Sequence, residues 1–423
     1  MSLKTHIFIV LSFLLFTTTG KAQTTSNKDQ KSVDTDTENG ISLPDDFDNS
    51  LEMLTRSWIV QHATRSNCQS SENIEGNDSI YKSRLSKMPC VLEMPYNPVV
   101  KSYIDMYSMT RRNQVEFMLG LSQYYFPIFE QALSTQNLPL ELKYLTIIES
   151  ALNTTAMSRV GALGLWQLMI GTGRLYGLEI NSLVDERMEP YKASNAAVLY
   201  LKDLYSVYGD WHLVIAAYNC GPNNINKAMR RAGGKRDYWT IYPYLPRETR
   251  GYVPVFIAAN YIMNFSKDHN ICPASVNIPS MTDTVMVHQR LHLEQIAAVL
   301  NLPLEEIKFL NPQYKKEIVP GDIHPYSVRL PSTYSNIFEQ HLPEIAAWKA
   351  DSLINTRREE IVIPQAAPVS IGGKGHAVYH KVRKGQTLSD IAEKYGVGVS
   401  QIKKWNHLRK SRINPGQRLK IIK

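Results

Sequence analysis

The distribution of apolar positions from Pro139 to Leu152 predicts a helix that carries an acid on its apolar stripe. Leu142, Leu145 and Leu152 follow one face of this helix. Glu149 occupies a position on the same face where another apolar residue is expected. Because a carboxyl group that leaves water shifts its pKa upward, we expect Glu149 to keep its proton closer to neutral pH, as a general acid must.

Helical patterns also dominate the region that follows this acid. Three further helices are predicted, one opening at Pro190, one from Trp211 to Asn219 and one from Thr249 to Phe265. We expect most of their apolar residues to pack a core. The pattern therefore predicts a fold that is mainly α in this part of the chain.

A glycine-rich stretch comes shortly after the acidic helix. Residues 161–169 read Gly-Ala-Leu-Gly-Leu-Trp-Gln-Leu-Met, which is too apolar and too rich in glycine for an ordinary surface loop. Glycine allows the backbone to come close to a ligand. We expect this segment to form the floor of a cleft, with Trp166 as an apolar wall and Gln167 as a hydrogen-bonding amide.

The carboxy-terminal half contains an internal repeat with a shift of 95 residues. The shift aligns Val287 with Val382, Leu293 with Leu388, Ile296 with Ile391, Leu302 with Val397, Ile307 with Ile402, Asn311 with Asn406 and Gly321 with Gly416. Each copy, at 283–331 and 379–423, is predicted to form a small βααβ unit. Arg290 and His292 in the first copy replace Gly385 and Thr387, so we expect the turn chemistry of that copy to be lost.

Residues 332–378 connect the two copies. Their pattern predicts a helix around residues 334–356 and a flexible stretch at residues 363–377, which contains Pro368 and two adjacent glycines.

The first residues have the features of a secretory signal peptide at 1–22. Lys4 and His6 precede an apolar run that is too short for a permanent membrane span, although an uncleaved anchor is an alternative. No cysteine follows the run, so we expect no lipid-anchored amino terminus. Residues 23–95 are expected to comprise a polar, disordered lead-in to about residue 46 and an amino-terminal segment.

Four cysteines, at positions 68, 90, 220 and 272, are compatible with disulfides in an exported protein, but their spacing does not define a pairing. A bridge between Cys68 and Cys90 is one possibility, and for Cys220 and Cys272 buried free thiols are as plausible as a bridge. No Cys/His spacing indicates a metal site, and we expect no metal and no cofactor.

The formal net charge of +8 is concentrated at the carboxy terminus. Residues 379–423 contain twelve Lys and Arg against Asp390 and Glu393, a net +10 that leaves −2 for the rest of the chain. Basic modules often bind nucleic acid, but an exported chain is not expected to meet it. We expect an anionic polymer of the cell wall as the partner, and no nucleic acid.

Five ordered motifs within residues 96–275 resemble the lytic transglycosylases of the soluble-lytic-transglycosylase, or goose-type lysozyme-like, superfamily. The motifs are Glu149-Ser150, Ser158, Gly161–Met169, Ala217–Gly221 and Glu248–Val253. The resemblance implies a lysozyme-like α-helical catalytic lobe in which Glu149 is the catalytic acid and base. It also implies that the cleft is lined or braced by Ser158, Gln167, Met169, Thr172, Tyr218, Asn219, Glu248 and Tyr252. For Glu248, a structural role beside Arg250 or at a helix end is an equal alternative.

The second copy of the repeat, 379–423, resembles the LysM module, which binds peptidoglycan and chitin. This resemblance implies a shallow glycan groove in which Gly385, Gln386, Thr387 and Leu388 face Asn414, Pro415 and Gly416. We expect the second copy to bind glycan. The divergent first copy at 283–331 is expected to be mainly structural.

Together the resemblances imply an enzyme that cleaves the MurNAc-GlcNAc β-1,4 bonds of peptidoglycan without water and leaves 1,6-anhydroMurNAc ends. Its expected partner is the peptidoglycan glycan strand, and its expected location is the periplasm or cell envelope. A hydrolytic muramidase or chitinase on the same fold, or a wall-binding scaffold without activity, are the alternatives.

Overall fold

The computed structural model describes residues 47–64, 72–354, 377–382, 388–395, 397, 399–406, 408 and 413–422. The predictions for the signal peptide, the polar lead-in to residue 46, the stretch 363–376 and the turn residues Gly385, Gln386 and Thr387 lie outside these residues. Among the described residues, no helix has both the length and the apolar character needed to cross a membrane.

The described residues up to Phe265 are dominated by helices. These are α1 (Phe47–Arg56), α2 (Trp58–Gln61), α3 (Asp78–Lys87), α4 (Pro98–Asp105), α5 (Arg112–Thr135), α6 (Leu145–Ser150), α7 (Ile170–Leu175), α8 (Pro190–Tyr208), α9 (Trp211–Cys220), α10 (Pro222–Arg231), α11 (Tyr238–Ile241) and α12 (Arg247–Phe265). A π-helical turn, Met106–Thr110, joins α4 to α5, and a 3₁₀ turn, Leu140–Tyr144, leads into α6. The helices predicted from Pro190, Trp211 and Thr249 are confirmed as α8, α9 and α12.

One hydrophobic core runs through this helical lobe. Helix α12 is apolar on nearly all sides and lies at its centre, where it packs against α4, α6 and α9. The segment before residue 96 belongs to the same core, because Leu51 on α1 and Tyr81 on α3 are at most 1% exposed. The lobe therefore begins structurally ahead of residue 96, where the sequence motifs suggested a start.

The helix that carries Glu149 is shorter than predicted. Pro139 precedes the 3₁₀ turn, and α6 ends at Ser150 because Ala151 and Leu152 both adopt left-handed backbone conformations with φ of 50° and 64°. The side chain of Leu152 is buried, but it is not on the helix. The prediction of a continuous apolar face up to Leu152 is therefore wrong, since two left-handed residues break the helical period first.

The first repeat copy contains two short antiparallel sheets around two helices. Its elements are β1 (Thr282–Val287), β2 (Arg290–His292), α13 (Leu293–Leu300), α14 (Leu304–Leu310), β3 (Ile318–Pro320) and β4 (Tyr326–Pro331). Strand β1 pairs with β4, with Val285 opposite Val328, and β2 pairs with β3. Alternate side chains of β1 and β4 point into the core of this first module.

His292 preserves the turn chemistry that the sequence appeared to have lost. The imidazole Nδ1 of His292 accepts a hydrogen bond from the backbone N–H of Glu294 at 3.1 Å. The backbone N–H of His292 donates to Oε1 of Gln295 at 2.8 Å. These two bonds form a capping box at the start of α13. The expectation that the turn chemistry is lost is wrong here, because an imidazole nitrogen accepts the bond that a threonine hydroxyl usually accepts.

The first module shares its core with the helical lobe. Leu183 and Val184, from the loop between α7 and α8, are fully buried in the core of this module. Backbone hydrogen bonds fix the contact, since Lys315 N–H donates to Leu183 O at 2.7 Å and Asp185 N–H donates to Gln313 O at 2.9 Å. The first module and the lobe are therefore packed as one body.

The helix predicted around residues 334–356 is interrupted. Three short helices occupy the region: α15 (Ser335–Gln340), α16 (Leu342–Ala347) and α17 (Ala350–Leu353). Pro343 lies in the first turn of α16, and Lys349 adopts a left-handed conformation with φ of 45°. The prediction of one continuous helix is wrong, because these two residues break it.

The second module is built from β5 (Ala377–Lys381), α18 (Leu388–Tyr395), α19 (Val399–Trp405) and β6 (Arg418–Ile422), with β5 antiparallel to β6. The repeat is visible in one asparagine. Asn311 donates to Ile307 O and Arg329 O and accepts from Arg329 N–H, with distances of 2.7 to 2.9 Å. Asn406 makes the equivalent three bonds to Ile402 O and to both backbone groups of Lys420. Each asparagine thus ties a helix to the last strand.

The cysteines differ from the bridge considered above. Cys90 and Cys220 are free thiols, whereas Cys272 is disulfide-bonded. Cys90 is therefore not bridged to Cys68, which lies outside the described residues. The free thiol is correct for Cys220, where burial raises the pKa to about 11, and wrong for Cys272.

Candidate functional site

Glu149 lies in the last turn of α6 and is held by a tyrosine from the central helix α12. The side chain of Tyr252 is fully buried, and its hydroxyl donates a hydrogen bond to Oε1 of Glu149. Burial, reinforced by the charge of Glu149, raises the pKa of Tyr252 well above its ordinary value. The phenol therefore stays protonated at neutral pH and remains a hydrogen-bond donor to the carboxylate.

A second phenol lies close to the same carboxyl group. Burial and then the charge of Glu149 raise the pKa of Tyr218 well above its ordinary value. Its hydroxyl donates to Trp166 O at 2.7 Å, which ties α9 to the glycine-rich segment. Two neutral phenols therefore lie near the Glu149 carboxyl group, and that of Tyr252 is hydrogen-bonded to it.

A buried ion pair, Arg187 with Asp185, is hydrogen-bonded to the backbone of the glycine-rich segment. Nη2 of Arg187 lies 2.8 Å from Oδ2 of Asp185, and both side chains are about 95% buried. The Arg187 guanidinium also donates to Gly161 O at 2.9 Å and to Leu168 O at 3.0 Å. At Gly164, with φ of +86°, a Cβ atom would lie 2.0 Å from Arg187 O. Glycine is therefore required there for the segment to pack on the Arg187 loop.

Two predicted cleft residues brace the segment through its backbone. Ser158 Oγ accepts a hydrogen bond from Ala162 N–H at 3.0 Å. The side-chain amide nitrogen of Gln167 donates to Ala156 O at 2.7 Å and to Gly164 O at 2.9 Å. Because both of its N–H groups are directed at backbone carbonyls, that amide nitrogen holds the loop rather than a ligand.

Trp166 does not form a wall of the cleft. Its side chain is fully buried, its Nε1–H donates to Ser194 Oγ at 2.9 Å, and its ring packs edge-on against Phe129 at 5.2 Å. The expectation of an exposed apolar wall is wrong, because the indole finds both an apolar neighbour and a hydroxyl acceptor inside the lobe.

The other predicted cleft residues lie in different surroundings. Met169 is 45% exposed and Thr172 is half-buried, and both are at the start of α7, directly after the glycine-rich segment. Asn219 Oδ1 accepts from Thr249 Oγ1 at 2.9 Å, which joins α9 to α12. Glu248 is exposed in the first turn of α12, where a carboxylate is favoured by the helix dipole. The guanidinium of Arg250 donates to two backbone carbonyls, at 2.9 and 3.1 Å.

Sequence reasoning missed several contacts that position the acid. Ser150 Oγ donates to Leu165 O at 2.9 Å, so the residue after Glu149 ties α6 to the glycine-rich segment. Ser50 Oγ of α1 donates to the backbone O of Glu149 at 3.3 Å. Ser150 adjoins the acid in the motif and was a readable signal, whereas nothing in the local pattern connects Ser50 to it.

The arrangement suits proton transfer by a single carboxyl group. One oxygen of Glu149 accepts from Tyr252, and the half-buried side chain lies near Tyr218, whose hydroxyl is bonded to the glycine-rich segment. Within the part of the chain that the structure describes, no group of three or more His, Cys, Asp and Glu residues is placed to hold a metal ion.

In the second module, one of the predicted glycan contacts is internal. The side chain of Leu388 is 2% exposed and belongs to the module core. Asn414, Pro415 and Gly416 form an exposed turn, and Gly416 N–H donates to Val382 O at 2.8 Å. The described part of the predicted groove is therefore an exposed turn, while the side chain of Leu388 lies in the core and does not reach the surface.

Comparison with known families matches three regions of the chain. Residues 126–241 match the family described as Transglycosylase SLT domain, residues 281–347 match Lytic transglycosylase MltD, LysM-like domain, and residues 380–421 match LysM domain. The predicted fold class is confirmed: the chain is mainly α, with a lysozyme-like helical lobe followed by small LysM modules.

Individual relatives agree with these matches. Membrane-bound lytic murein transglycosylase D of Escherichia coli is 30% identical over 338 residues, which cover 78% of this chain and 70% of that protein. Soluble lytic murein transglycosylase of Escherichia coli is 32% identical over 116 residues, 26% of this chain and 18% of that protein. The crystal structure of the 70 kDa soluble lytic transglycosylase of Escherichia coli superimposes on 41% of this chain and 29% of its own, with 23% identity and a TM-score of 0.32.

Proposed function

The chain belongs to the lytic murein transglycosylase family that includes transglycosylase D, and from this premise we propose that Glu149 is the acid and base with which it cleaves the MurNAc-GlcNAc β-1,4 bond of peptidoglycan. The observation that carries the assignment is the hydrogen bond from the buried Tyr252 to Oε1 of Glu149. A neutral donor on one oxygen fixes the orientation of the carboxyl group and stabilises it when it is charged.

The reaction uses one carboxyl group twice. Protonated Glu149 gives its proton to the glycosidic oxygen while the bond from that oxygen to C1 of MurNAc breaks. The carboxylate then takes the proton of the C6 hydroxyl of the same sugar, and O6 forms the new bond to C1. Water is not consumed, Glu149 ends protonated as it began, and the product carries a 1,6-anhydroMurNAc end.

Tyr252 is proposed to stabilise Glu149 between these two proton transfers. During that interval Glu149 carries a negative charge, and a donor hydrogen bond to a charged oxygen is stronger than one to a neutral carboxyl group. Because the pKa of Tyr252 is raised, the phenol keeps its proton beside the carboxylate. The bond therefore stabilises the charged state of the acid and fixes its orientation.

The remaining residues of the proposed site divide by their contacts. Met169 and Thr172 are proposed to contact the glycan, because they are at least partly exposed beyond the glycine-rich segment. Ser158, Gln167, Tyr218 and Asn219 are proposed to brace the cleft, because their side chains form hydrogen bonds with protein groups. Glu248 is proposed to stabilise the amino-terminal end of α12 through its negative charge.

The second module is proposed to hold the enzyme on peptidoglycan through its glycan groove and its net charge of +10, in the cell envelope after export by residues 1–22.

Digestion of purified peptidoglycan in ¹⁸O-labelled water tests the proposed reaction. Released disaccharides should be lighter than hydrolytic products by one water and should contain no label at C1. Glu149→Gln should reduce turnover by about a hundredfold to ten-thousandfold while the fold remains intact, since an amide cannot exchange the proton. Labelled, full-mass products would show a hydrolase instead, and unchanged turnover in Glu149→Gln would assign the acid elsewhere.

A further inference from the structure

A cavity with several charged and polar lining residues lies where the first module meets the helical lobe. It has a volume of about 170 Å³ and is bounded by Glu179, Glu186 and Glu189 from the lobe and by Gln313, His324 and Tyr326 from the first module. We call it the junction pocket. None of its residues belongs to the site around Glu149, and none was singled out by the sequence motifs.

The lobe side of the junction pocket is dominated by carboxylates. Three glutamates face one lysine, Lys192, whose Nζ is paired with Oε1 of Glu186. His324 on the module side lies 3.2 Å from Oε2 of Glu179. With a neutral imidazole, the ionisable groups of the pocket sum to a net charge of −2, so the pocket favours a cation over an anion or a neutral sugar.

Two of the carboxylates are held rigidly by the protein. Glu186 is 5% exposed, and its Oε2 accepts from the backbone N–H of Glu179 at 2.7 Å. Glu179 Oε1 accepts from Tyr326 O–H at 2.6 Å and from Asn181 Nδ2 at 2.7 Å. The acidic wall is therefore preorganised, and it joins groups from the lobe and from the first module.

Gln313 adds an acceptor that the protein does not use. Its side chain is 6% exposed, and its Oε1 has no hydrogen-bond partner among the described residues. Buried acceptors are nearly always paired, so an unpaired oxygen on a residue that lines a cavity points to a donor in that cavity. This observation is independent of the carboxylates and points to a ligand that carries N–H groups.

Glu189 also lacks full compensation. Its Oε2 accepts from the backbone N–H of Lys192 at 2.6 Å, which caps α8. Even with this bond and with Arg329 nearby, burial raises the pKa of its carboxyl group above the ordinary value. A positive charge in the cavity would offset that burial and keep Glu189 ionised.

We propose that the junction pocket binds a primary ammonium group, of the kind that the diamino acid of a peptidoglycan stem peptide carries on its side chain. An ammonium group has three donors and no acceptor, which matches a wall that presents carboxylates and an amide oxygen. The cavity admits several atoms of water size, which is enough for the end of an aminoalkyl chain. Among the described residues no cluster is placed to hold a metal ion, so an organic cation fits the donor requirement better.

This proposal rests on the proposed function for the source of the ammonium group. A stem peptide is attached to the same glycan strand that Glu149 is proposed to cleave. The pocket would therefore bind the peptide while the cleft binds the sugar. A free diamino acid, or a glucosamine that has lost its acetyl group, carries the same chemistry. The experiment therefore has to separate these sources.

Calorimetric titration of the full chain tests the pocket with a synthetic stem tetrapeptide whose α-amine is acetylated and whose lysine side chain is free. We expect the same peptide with the side-chain amine acetylated to bind at least tenfold more weakly. Glu189→Gln should weaken the free-amine peptide at least tenfold, because the amide oxygen still caps α8 but carries no charge. Gln313→Leu should also weaken it, because it removes an acceptor that lacks a partner.

Glu305→Gln is the matched control, since it makes the same change at an exposed glutamate of the first module that pairs with Lys308 outside the pocket. Its affinity should equal that of the parent. The proposal is overturned if both peptides bind equally, if neither binds, or if Glu305→Gln weakens binding as much as Glu189→Gln. Tighter binding of free lysine, or of a de-N-acetylated glucosamine oligomer, than of the tetrapeptide would overturn the assignment to the stem peptide.

The cleavage of peptide-free glycan keeps this result apart from the proposed function. Glu189→Gln and Gln313→Leu should cleave peptide-free glycan at the parental rate and lose activity only on strands that bear stem peptides. If the parent cleaves no glycan at all, the proposed function fails, whereas the peptide titration still decides whether the pocket binds an ammonium group.

Discussion

Replacing Tyr252 by phenylalanine removes a single hydroxyl group from the proposed active site. The ring of Tyr252 is fully buried in α12 and remains in the variant, so the change is confined to the bond with Glu149. A hydrogen bond to a charged group contributes about 1.5–3 kcal/mol. If that bond acts fully in the transition state, its loss lowers turnover by about tenfold to 150-fold.

The pH dependence provides a second and more specific readout. Tyr252 stays protonated across the assay range, because its pKa is raised well above the ordinary value. Its hydrogen bond favours the ionised form of Glu149, so removing it lets Glu149 hold its proton to higher pH. The alkaline limb of kcat/KM should therefore move to higher pH.

Initial rates of anhydro-product release from a defined glycan, measured across pH, check both effects. Tyr261→Phe is the matched control, because Tyr261 is an equally buried tyrosine of α12 whose hydroxyl instead accepts from Arg84 at 2.8 Å. We expect the control to keep the parental rate and pH profile. An unshifted alkaline limb in Tyr252→Phe, or an equal shift in Tyr261→Phe, would refute the role given to Tyr252.

Two further changes test the cleft floor and the second module. Gly164→Ala should destabilise the chain by about 2–5 kcal/mol, because the new Cβ clashes with Arg187 O at a position with left-handed φ. Gly161→Ala, at a left-handed position with no close neighbour, should destabilise it by only about 1–2 kcal/mol. Denaturant unfolding measures both variants, and equal losses of stability would contradict the clash. Deleting residues 379–423 should weaken retention on sacculi by at least about tenfold and spare turnover on short soluble fragments; a comparable loss on the fragments would show that the module helps to build the cleft.

The elements that sequence reasoning placed correctly carry their own local signals. Helix α8 begins at Pro190, and proline in the first turn together with an alanine-rich pattern identified its start. The repeat could also be predicted, because Asn311 and Asn406 recur at a fixed shift. Each donates a hydrogen bond to a backbone carbonyl of the last strand of its module. Such features depend on residues within one element or one small module, and a single sequence displays them.

Contacts between distant segments were not predictable in the same way. The sequence shows Trp166 in a glycine-rich stretch, but its burial depends on Ser194 and Phe129, which lie 28 and 37 positions away. The pair of left-handed residues after Ser150 is likewise set by packing, since neither Ala151 nor Leu152 has a side chain that favours this conformation. The motif predicted Glu149 as the acid, whereas the contacts around its side chain became visible only in the structure.

The two repeat copies share a fold but differ in how their cores are completed, and this difference assigns them different roles. The core of the first module includes Leu183 and Val184 of the lobe, and full burial of two such side chains contributes about 3–6 kcal/mol. Undocking the first module would therefore cost a large share of the 5–15 kcal/mol that typically stabilises a domain. The core of the second module comprises residues of its own strands and helices, such as Ile391 and Leu419. The first module thus packs against the lobe and forms one side of the junction pocket. The described core of the second module consists of its own residues, which suits a separate role in binding the cell wall.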